Sequence, residues 1–303
     1  MKRPFWRSTT IAAFGIVIAS LQPTQAQGQL RQLVGEWKHV VATNGQAKLR
    51  VFTAGDGPSI VMLPARAVGP FALEPVAERL IAAGFRVVLP EPRGYGQSIG
   101  PLEDVTMRDL AMDVAQAIEA AGGAPVVIVG HAFGNRIGRM LAQDRPDLIR
   151  GVVLIAAGGK FPPKPEIAPN LRIWLDESLP SERRTAAAKA AFFGPQSNPT
   201  PKDAMLDGIS ADTSKVQAAA ADSKLFPLES WWPGGKSPML VIQGLADVWA
   251  PVENGRSLKA DYPDRVTLVE LPDVGHLMAS ERPDLVADAI VAFVRGLPGA
   301  ERR

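Results

Sequence analysis

The chain has 303 residues, of which 46% are hydrophobic and 21% are charged, a balance typical of a globular protein with a full hydrophobic core. Its 33 basic and 31 acidic residues leave no strong excess of either sign, which argues against a nucleic-acid partner. There is no cysteine, which excludes disulfides, cysteine metal sites and a lipidated N-terminal cysteine.

The N-terminus has the pattern of a secretory signal peptide. Three basic residues open the chain, and an apolar run follows at residues 11–21, too short to span a bilayer comfortably. Residues 24–26, Thr-Gln-Ala, form a small-x-small cleavage site, so residues 1–26 are predicted to be removed on export to the periplasm or medium. A membrane anchor is the less favoured alternative, because the run is short and polar glutamines follow it. Cleavage would leave a net charge of −1 and no stable membrane span.

The next part of the chain, residues 27–160, alternates short β-rich runs with helical periodicity. This alternation predicts a parallel sheet, preceded by a hairpin at the turn signal Asn44-Gly45. The predicted strands cover residues 37–41, 47–52, 59–63, 86–89, 126–129 and 150–156, and the predicted helices before the fifth strand cover residues 71–83 and 105–121.

The pattern changes at residues 161–235. These residues contain prolines, short alanine-rich helical segments and the pair Trp231-Trp232, with no good strand. They are predicted to form a helical cap inserted after the sixth strand. The core resumes over residues 236–303, where strands are predicted at 239–243 and 265–271 and a final helix at 283–296.

One stretch organises the predicted core. Four aliphatic residues, 126–129, lead into Gly130-His131-Ala132-Phe133-Gly134, and helical periodicity follows. A strand, a sharp turn between two small residues and a helix resemble the nucleophile elbow of the α/β-hydrolase superfamily. The resemblance implies a doubly wound, mostly parallel α/β sheet with the cap over the carboxyl ends of its strands. The elbow apex, however, is Ala132, whose methyl group cannot act as a nucleophile.

Two further positions match the same family in the expected chain order. Asp247 lies in a Gly-x-x-Asp-x-x-x-Pro pattern after a predicted strand, and His276 follows the last predicted strand. The resemblance implies that Asp247 orients His276 and stabilises its protonated form. A turn or cap residue and a satisfied loop histidine are the minority alternatives for these two positions.

The remaining site predictions also follow from the resemblance. The oxyanion hole would use the backbone N–H groups of Phe133, after the apex, and Arg66, in the loop after the third strand. His131 and Trp249 are candidates for substrate binding, although local packing or hydrogen bonding is the default for His131. Three scattered histidines without cysteine give no metal-ligand spacing, so we predict no metal and no cofactor.

Without a serine at position 132, ordinary acyl transfer through a serine nucleophile is not possible. Three interpretations remain open. An engineered Ser-to-Ala replacement is one, but the leader still present in the sequence favours a native alanine. A native enzyme would use Asp247–His276 as a base on a small organic substrate, activating water or removing a substrate proton. A non-catalytic binding protein would use the same pocket for a small molecule only.

Overall fold

The computed structural model describes residues 37–176, 178–197, 210–222 and 224–298, so the predicted signal peptide lies outside the described residues. An eight-stranded sheet forms the centre of the fold, with strand order β1-β2-β4-β3-β5-β6-β7-β8. β2 is antiparallel to both of its neighbours, and the other pairs are parallel. The strands are β1 Lys38–Asn44, β2 Ala47–Ala54, β3 Ser59–Leu63, β4 Arg86–Pro90, β5 Val126–His131, β6 Ile149–Ile155, β7 Met239–Gly244 and β8 Val266–Leu271.

Helices cover both faces of this sheet, which confirms the predicted doubly wound α/β fold. Helices α2, α3 and α7 pack on one face, and helices α1 and α9 pack on the other. The described helices are α1 Glu74–Ala82, α2 Met107–Ala121, α3 Phe133–Asp144, α4 Ala168–Leu175, α5 Ser181–Phe192, α6 Ala211–Ala220, α7 Glu253–Asp261, α8 Met278–Glu281 and α9 Pro283–Gly296.

The central strand β5 shows why the aliphatic runs form this sheet. Val126 and Ile128 pack into the core on one face, and Val127 and Val129 pack into the core on the other. Because successive side chains of a strand point to opposite faces, a strand covered on both sides must be apolar throughout. The continuous aliphatic run before the elbow therefore reflects burial on both faces.

Local signals set several helix boundaries. Thr106 caps α2 through a reciprocal capping box with Asp109. The chain leaves α1 through Gly84, whose φ of +90° favours glycine. The helix predicted at residues 71–83 is α-helical only from Glu74. Residues Pro70–Leu73 form a 3-10 turn before it, because Pro70 and Pro75 each remove a backbone donor. The hairpin turn consists of Gly45 and Gln46, one residue later than predicted.

The segment between β6 and β7 contains helices α4, α5 and α6, and its described residues form no strand. We call residues 161–235 the insert. Its residues Ile167, Ala188 and Phe192 share a small apolar cluster with Ala65 and Leu277 of the core. The insert is therefore packed against the loops that follow the strands. In the described part of the chain, no helix combines the length and the apolar character needed to cross a bilayer.

A buried ion pair fixes the loop after β4. Arg93 donates to both carboxylate oxygens of Asp113 in α2, at 3.0 and 2.8 Å, and each side chain is only 6% exposed. Asn44 donates to the same carboxylate at 2.8 Å. Because both charges have left water, the pair needs this bidentate geometry to offset its desolvation.

Candidate active site

The elbow keeps a strained backbone although its apex is alanine. Ala132 has φ 47° and ψ −106° and connects the end of β5 to the first turn of α3. A positive φ is unfavourable for a residue with a Cβ atom and persists only where its surroundings impose it.

Two glycines allow the close packing that imposes this turn. A Cβ on Gly130 would lie 2.4 Å from the backbone N of Asn135, and one on Gly134 would lie 2.5 Å from the carbonyl oxygen of Leu63. Both contacts are with backbone atoms, which cannot rotate away. The two glycines are therefore required by the approach of β3, β5 and α3 to one another.

The structure brings His276 and Asp247 into hydrogen-bond contact. Nδ1 of His276 lies 3.0 Å from Oδ2 of Asp247, and the two residues are only 4% and 2% exposed. The other carboxylate oxygen, Oδ1, accepts from the N–H groups of Trp249 and Ala250, each at 2.8 Å. Because the carboxylate can only accept, Nδ1 of His276 carries the proton and Nε2 keeps a lone pair.

The loop that carries His276 is held by the insert as well as by the core. The N–H of His276 donates to the carbonyl of Phe192 at 2.7 Å. The carboxylate of Glu281 accepts from the N–H of Gly275 at 3.0 Å and from the N–H of Gly194, in the insert, at 2.8 Å. This role of Glu281 was not predicted, since nothing in its local sequence indicates a partner 87 residues away.

Aromatic rings surround the His276 imidazole. Ring centroids of His131, Trp249 and Phe192 lie 5.5, 6.0 and 6.1 Å from it. Ala132 belongs to the same cluster of contacts as Phe192 and Trp249. The two residues predicted to bind substrate, His131 and Trp249, thus lie beside the predicted catalytic histidine.

His131 is fully buried, and its chemistry follows from that burial. Its Nε2 lies 2.9 Å from the carbonyl oxygen of His276, so the neutral ring donates this hydrogen bond. The pKa of His131 is lowered from 6.5 to about 4. Burial is the main cause, and electrostatic repulsion from His276 contributes to the same shift. His131 is therefore uncharged at neutral pH, and the hydrogen bond holds the main chain of the His276 loop.

The candidate oxyanion donors are the backbone N–H groups of Phe133, directly after the apex, and of Arg66, in the loop after β3. The N–H of Phe133 is the first of α3 and has no partner within its own helix. In the described part of the chain, neither this group nor the N–H of Arg66 donates to a backbone carbonyl. Such unpaired donors can stabilise a negatively charged oxygen that forms during a reaction.

Cationic side chains surround the same end of α3. Burial lowers the pKa of Arg136, and the nearby Arg66 lowers it further; neither arginine forms an ion pair with a described residue. Arg139 is fully buried, and its guanidinium carbon lies 4.5 and 5.0 Å from the ring centroids of Trp231 and Trp232. Arg136 and Arg139 thus place two cationic side chains on the first two turns of α3.

Arg139 also links the elbow helix to the end of β6. Its Nη2 donates to Oδ1 of Asn135 at 2.6 Å and to the carbonyl of Gly158 at 2.8 Å. The Asn135 amide donates in turn to the carbonyl of Ala156 at 3.2 Å. These contacts brace the first turn of α3.

Among the described residues, no group of three or more His, Asp or Glu side chains could hold a metal ion.

Comparison with known proteins agrees with this architecture. The model of the alpha/beta hydrolase family matches residues 60–289. The chain is 27% identical over 238 residues to BpoC of Mycobacterium tuberculosis, provisionally named a non-heme bromoperoxidase, covering 70% of this chain and 84% of that protein. It is 27% identical over 206 residues to the uncharacterized hydrolase YugF of Bacillus subtilis, covering 63% and 72%.

Solved structures share the fold at lower sequence identity. A thermophilic esterase from Thermogutta terrifontis superposes with a TM-score of 0.69 at 22% identity, covering 86% of this chain and 98% of that one. The fold and the family match together define a hydrolase-type α/β protein. The chain belongs to the alpha/beta hydrolase family, as the elbow, acid and histidine patterns predicted.

Proposed function

We propose that this protein is an exported enzyme that acts on a small organic substrate through His276 and Asp247, without a covalent nucleophile. His276 is the general base, Asp247 orients it, and the N–H groups of Phe133 and Arg66 form the oxyanion hole. His131 and Trp249 form part of the substrate-binding wall.

The buried pair His276–Asp247 carries this proposal. Removing a carboxylate from water costs several kcal/mol before its partners offset that cost. The pair orients the Nε2 lone pair of His276, which a general base requires and ligand binding alone does not. The strained φ of 47° at Ala132, which costs about 1–3 kcal/mol, likewise serves a reaction that needs the elbow N–H group.

For an ester substrate, the proposed reaction uses water as the nucleophile. Nε2 of His276 accepts a proton from water while the water oxygen forms a bond to the carbonyl carbon. The carbonyl oxygen becomes an oxyanion that accepts from Phe133 and Arg66. Collapse of this intermediate breaks the bond to the leaving oxygen, which takes the proton from His276 and departs as an alcohol. Removal of a proton from a substrate carbon would use the same base and the same donors.

Turnover of small activated esters, such as p-nitrophenyl acetate, tests the proposal. The unmutated protein should hydrolyse the ester faster than its folded His276→Ala variant. Ala132→Ser places an oxygen at the apex and should raise the rate further, in a manner that again requires His276. Equal rates for all of these variants would contradict the enzymatic proposal.

A binding protein is the second candidate, and Ala132 itself favours it. In that case a ligand would bind with equal affinity to the unmutated protein and to His276→Ala, with no turnover by either. If Ala132→Ser raised the rate of hydrolysis by a very large factor, the protein would instead be interpreted as a serine hydrolase whose nucleophile has been replaced. Loss of a triad serine costs roughly a million-fold in turnover.

Export is proposed from the N-terminal pattern alone. N-terminal sequencing of the protein from its own cells should begin near residue 27. An intact Met1 on protein found in the cytoplasm would contradict it.

A further inference from the structure

The loop after β3 has an unusual conformation at Ala67. This residue has φ +69°, in the left-handed region that favours glycine, and it is only 7% exposed. It directly follows Arg66, whose N–H is a proposed oxyanion donor. The direction of that N–H depends on how the peptide groups around Ala67 are held.

The insert holds both sides of Ala67. The N–H of Ala67 donates to Oε1 of Gln217 at 2.8 Å, and its carbonyl accepts from the N–H of Ser210 at 2.8 Å. Gln217 lies 150 positions further along the chain and is only 3% exposed. A buried carboxamide that accepts a backbone N–H in this way resists rotation of the 66–67 peptide group.

Helix α6 is itself fixed to the core, so the side chain of Gln217 is held in a defined position. Ser210 caps this helix at the N–H of Thr213 and donates to the carbonyl of Gly94 at 3.0 Å. Thr213 is fully buried, and its hydroxyl lies 3.4 Å from the carbonyl oxygen of Arg93. Gln217 follows Thr213 by four residues and therefore lies on the same face of α6.

We infer that Gln217 is a positioning residue for the oxyanion hole, because it holds the peptide group next to the Arg66 N–H. The insert would then complete the catalytic apparatus as well as cover it. This inference rests on the proposed function, since it assigns Arg66 as a donor.

Two variants separate this role from simple docking of the insert. Gln217→Met keeps an unbranched, helix-forming side chain but removes the acceptor. Thr213→Val removes the hydroxyl contacts with the Arg93 carbonyl and the Ser210 hydroxyl, and it leaves the contact of Gln217 with Ala67 in place. Both variants should retain the fold, and a third, Gln217→Glu, keeps an acceptor for Ala67.

The first measurement needs no turnover and uses acetate as the probe. Titration of the full chain with acetate should shift the backbone amide resonances of Arg66 and Phe133 in NMR spectra. In Gln217→Met the response of Arg66 should be weakened and that of Phe133 kept, whereas Thr213→Val should keep both. An unchanged response in Gln217→Met, or the same weakening in Thr213→Val, would overturn the inference.

The second measurement uses the Ala132→Ser background and p-nitrophenyl acetate. Gln217→Met should lower kcat about 10- to 100-fold with little change in KM, less than the roughly 100- to 1,000-fold cost of losing a donor outright. Gln217→Glu, which keeps an acceptor for the Ala67 N–H, should retain most of the parent kcat. If acetate shifts neither amide in the parent protein, the proposed oxyanion hole fails, and the inference fails with it. A responsive parent with an unaffected Gln217→Met variant overturns the inference alone.

Discussion

Acidification should destabilise this protein through His131. The folded state holds the pKa of this residue at about 4, whereas an exposed histidine titrates near 6.5. Below pH 6.5 the unfolded chain therefore binds a proton that the folded protein does not. The stability present above pH 6.5 is lost as the pH falls toward 4.

The size of the effect follows from the shift. A difference of about 2.5 pKa units corresponds to about 3 kcal/mol in total, at about 1.4 kcal/mol per unit. Between pH 7 and pH 5 the expected loss is about 2 kcal/mol, because the folded residue stays neutral over most of that range. The Nε2–H of His131 donates to a carbonyl, and a glutamine amide could make the same bond without titrating.

Urea denaturation at pH 7 and pH 5 measures this loss. The unmutated protein should lose about 2 kcal/mol more than His131→Gln over this interval. His39 is exposed on β1, so His39→Gln should retain the full pH dependence and serves as the control. If the stability of His131→Gln fell as steeply as that of the unmutated protein, the argument from burial would be refuted.

Four further variants test the packing around the elbow and its neighbours by urea denaturation. Gly134→Ala should destabilise the fold by about 3 kcal/mol, because its Cβ would meet backbone carbonyls, whereas Gly138→Ala in the same helix meets only ordinary contacts and should stabilise by about 0.5–1 kcal/mol. Equal effects would contradict the contact argument. Asp113→Asn should cost about 3–5 kcal/mol, because it leaves the buried Arg93 without a carboxylate, and a cost below 1 kcal/mol would show that the pair is not buried in solution. Ala132→Gly should be neutral or stabilising by about 1 kcal/mol, since relief of the positive φ outweighs the added freedom of the unfolded chain, and a marked loss of stability would argue against strain at the apex.

The sheet could be predicted because burial leaves a strong pattern in the sequence. Ser59–Leu63 is buried at every position, and its bounds match the prediction. The last helix, Pro283–Gly296, also matches, since a proline at its first position and an apolar stripe mark it clearly. Helix Glu253–Asp261 was not predicted, because its sequence is mostly polar and only Leu258 brings a large apolar side chain to the core.

The site was predictable only in part, because only some of its residues lie in a local sequence pattern. The Gly-x-x-Asp pattern at Asp247 and the position of His276 are local signals, and the structure brings those residues within hydrogen-bond distance. Gln217 and Glu281 each accept from a backbone N–H far away in the sequence, and neither has a local pattern that indicates this contact. Buried polar contacts between distant segments depend on the finished fold, which neither periodicity nor spacing encodes.

The contacts of the insert limit how this protein can be redesigned. Gln217 bonds to the loop after β3, Phe192 bonds to the His276 loop, and the N–H of Lys164 bonds to the carbonyl of Val248 beside Asp247. A foreign segment grafted between β6 and β7 would have to reproduce all three contacts to leave the loops undisturbed. On the proposed function, substrate range should therefore be changed by point substitutions on the existing insert, because exchanging the whole insert would also disturb the loops that carry Arg66, Asp247 and His276.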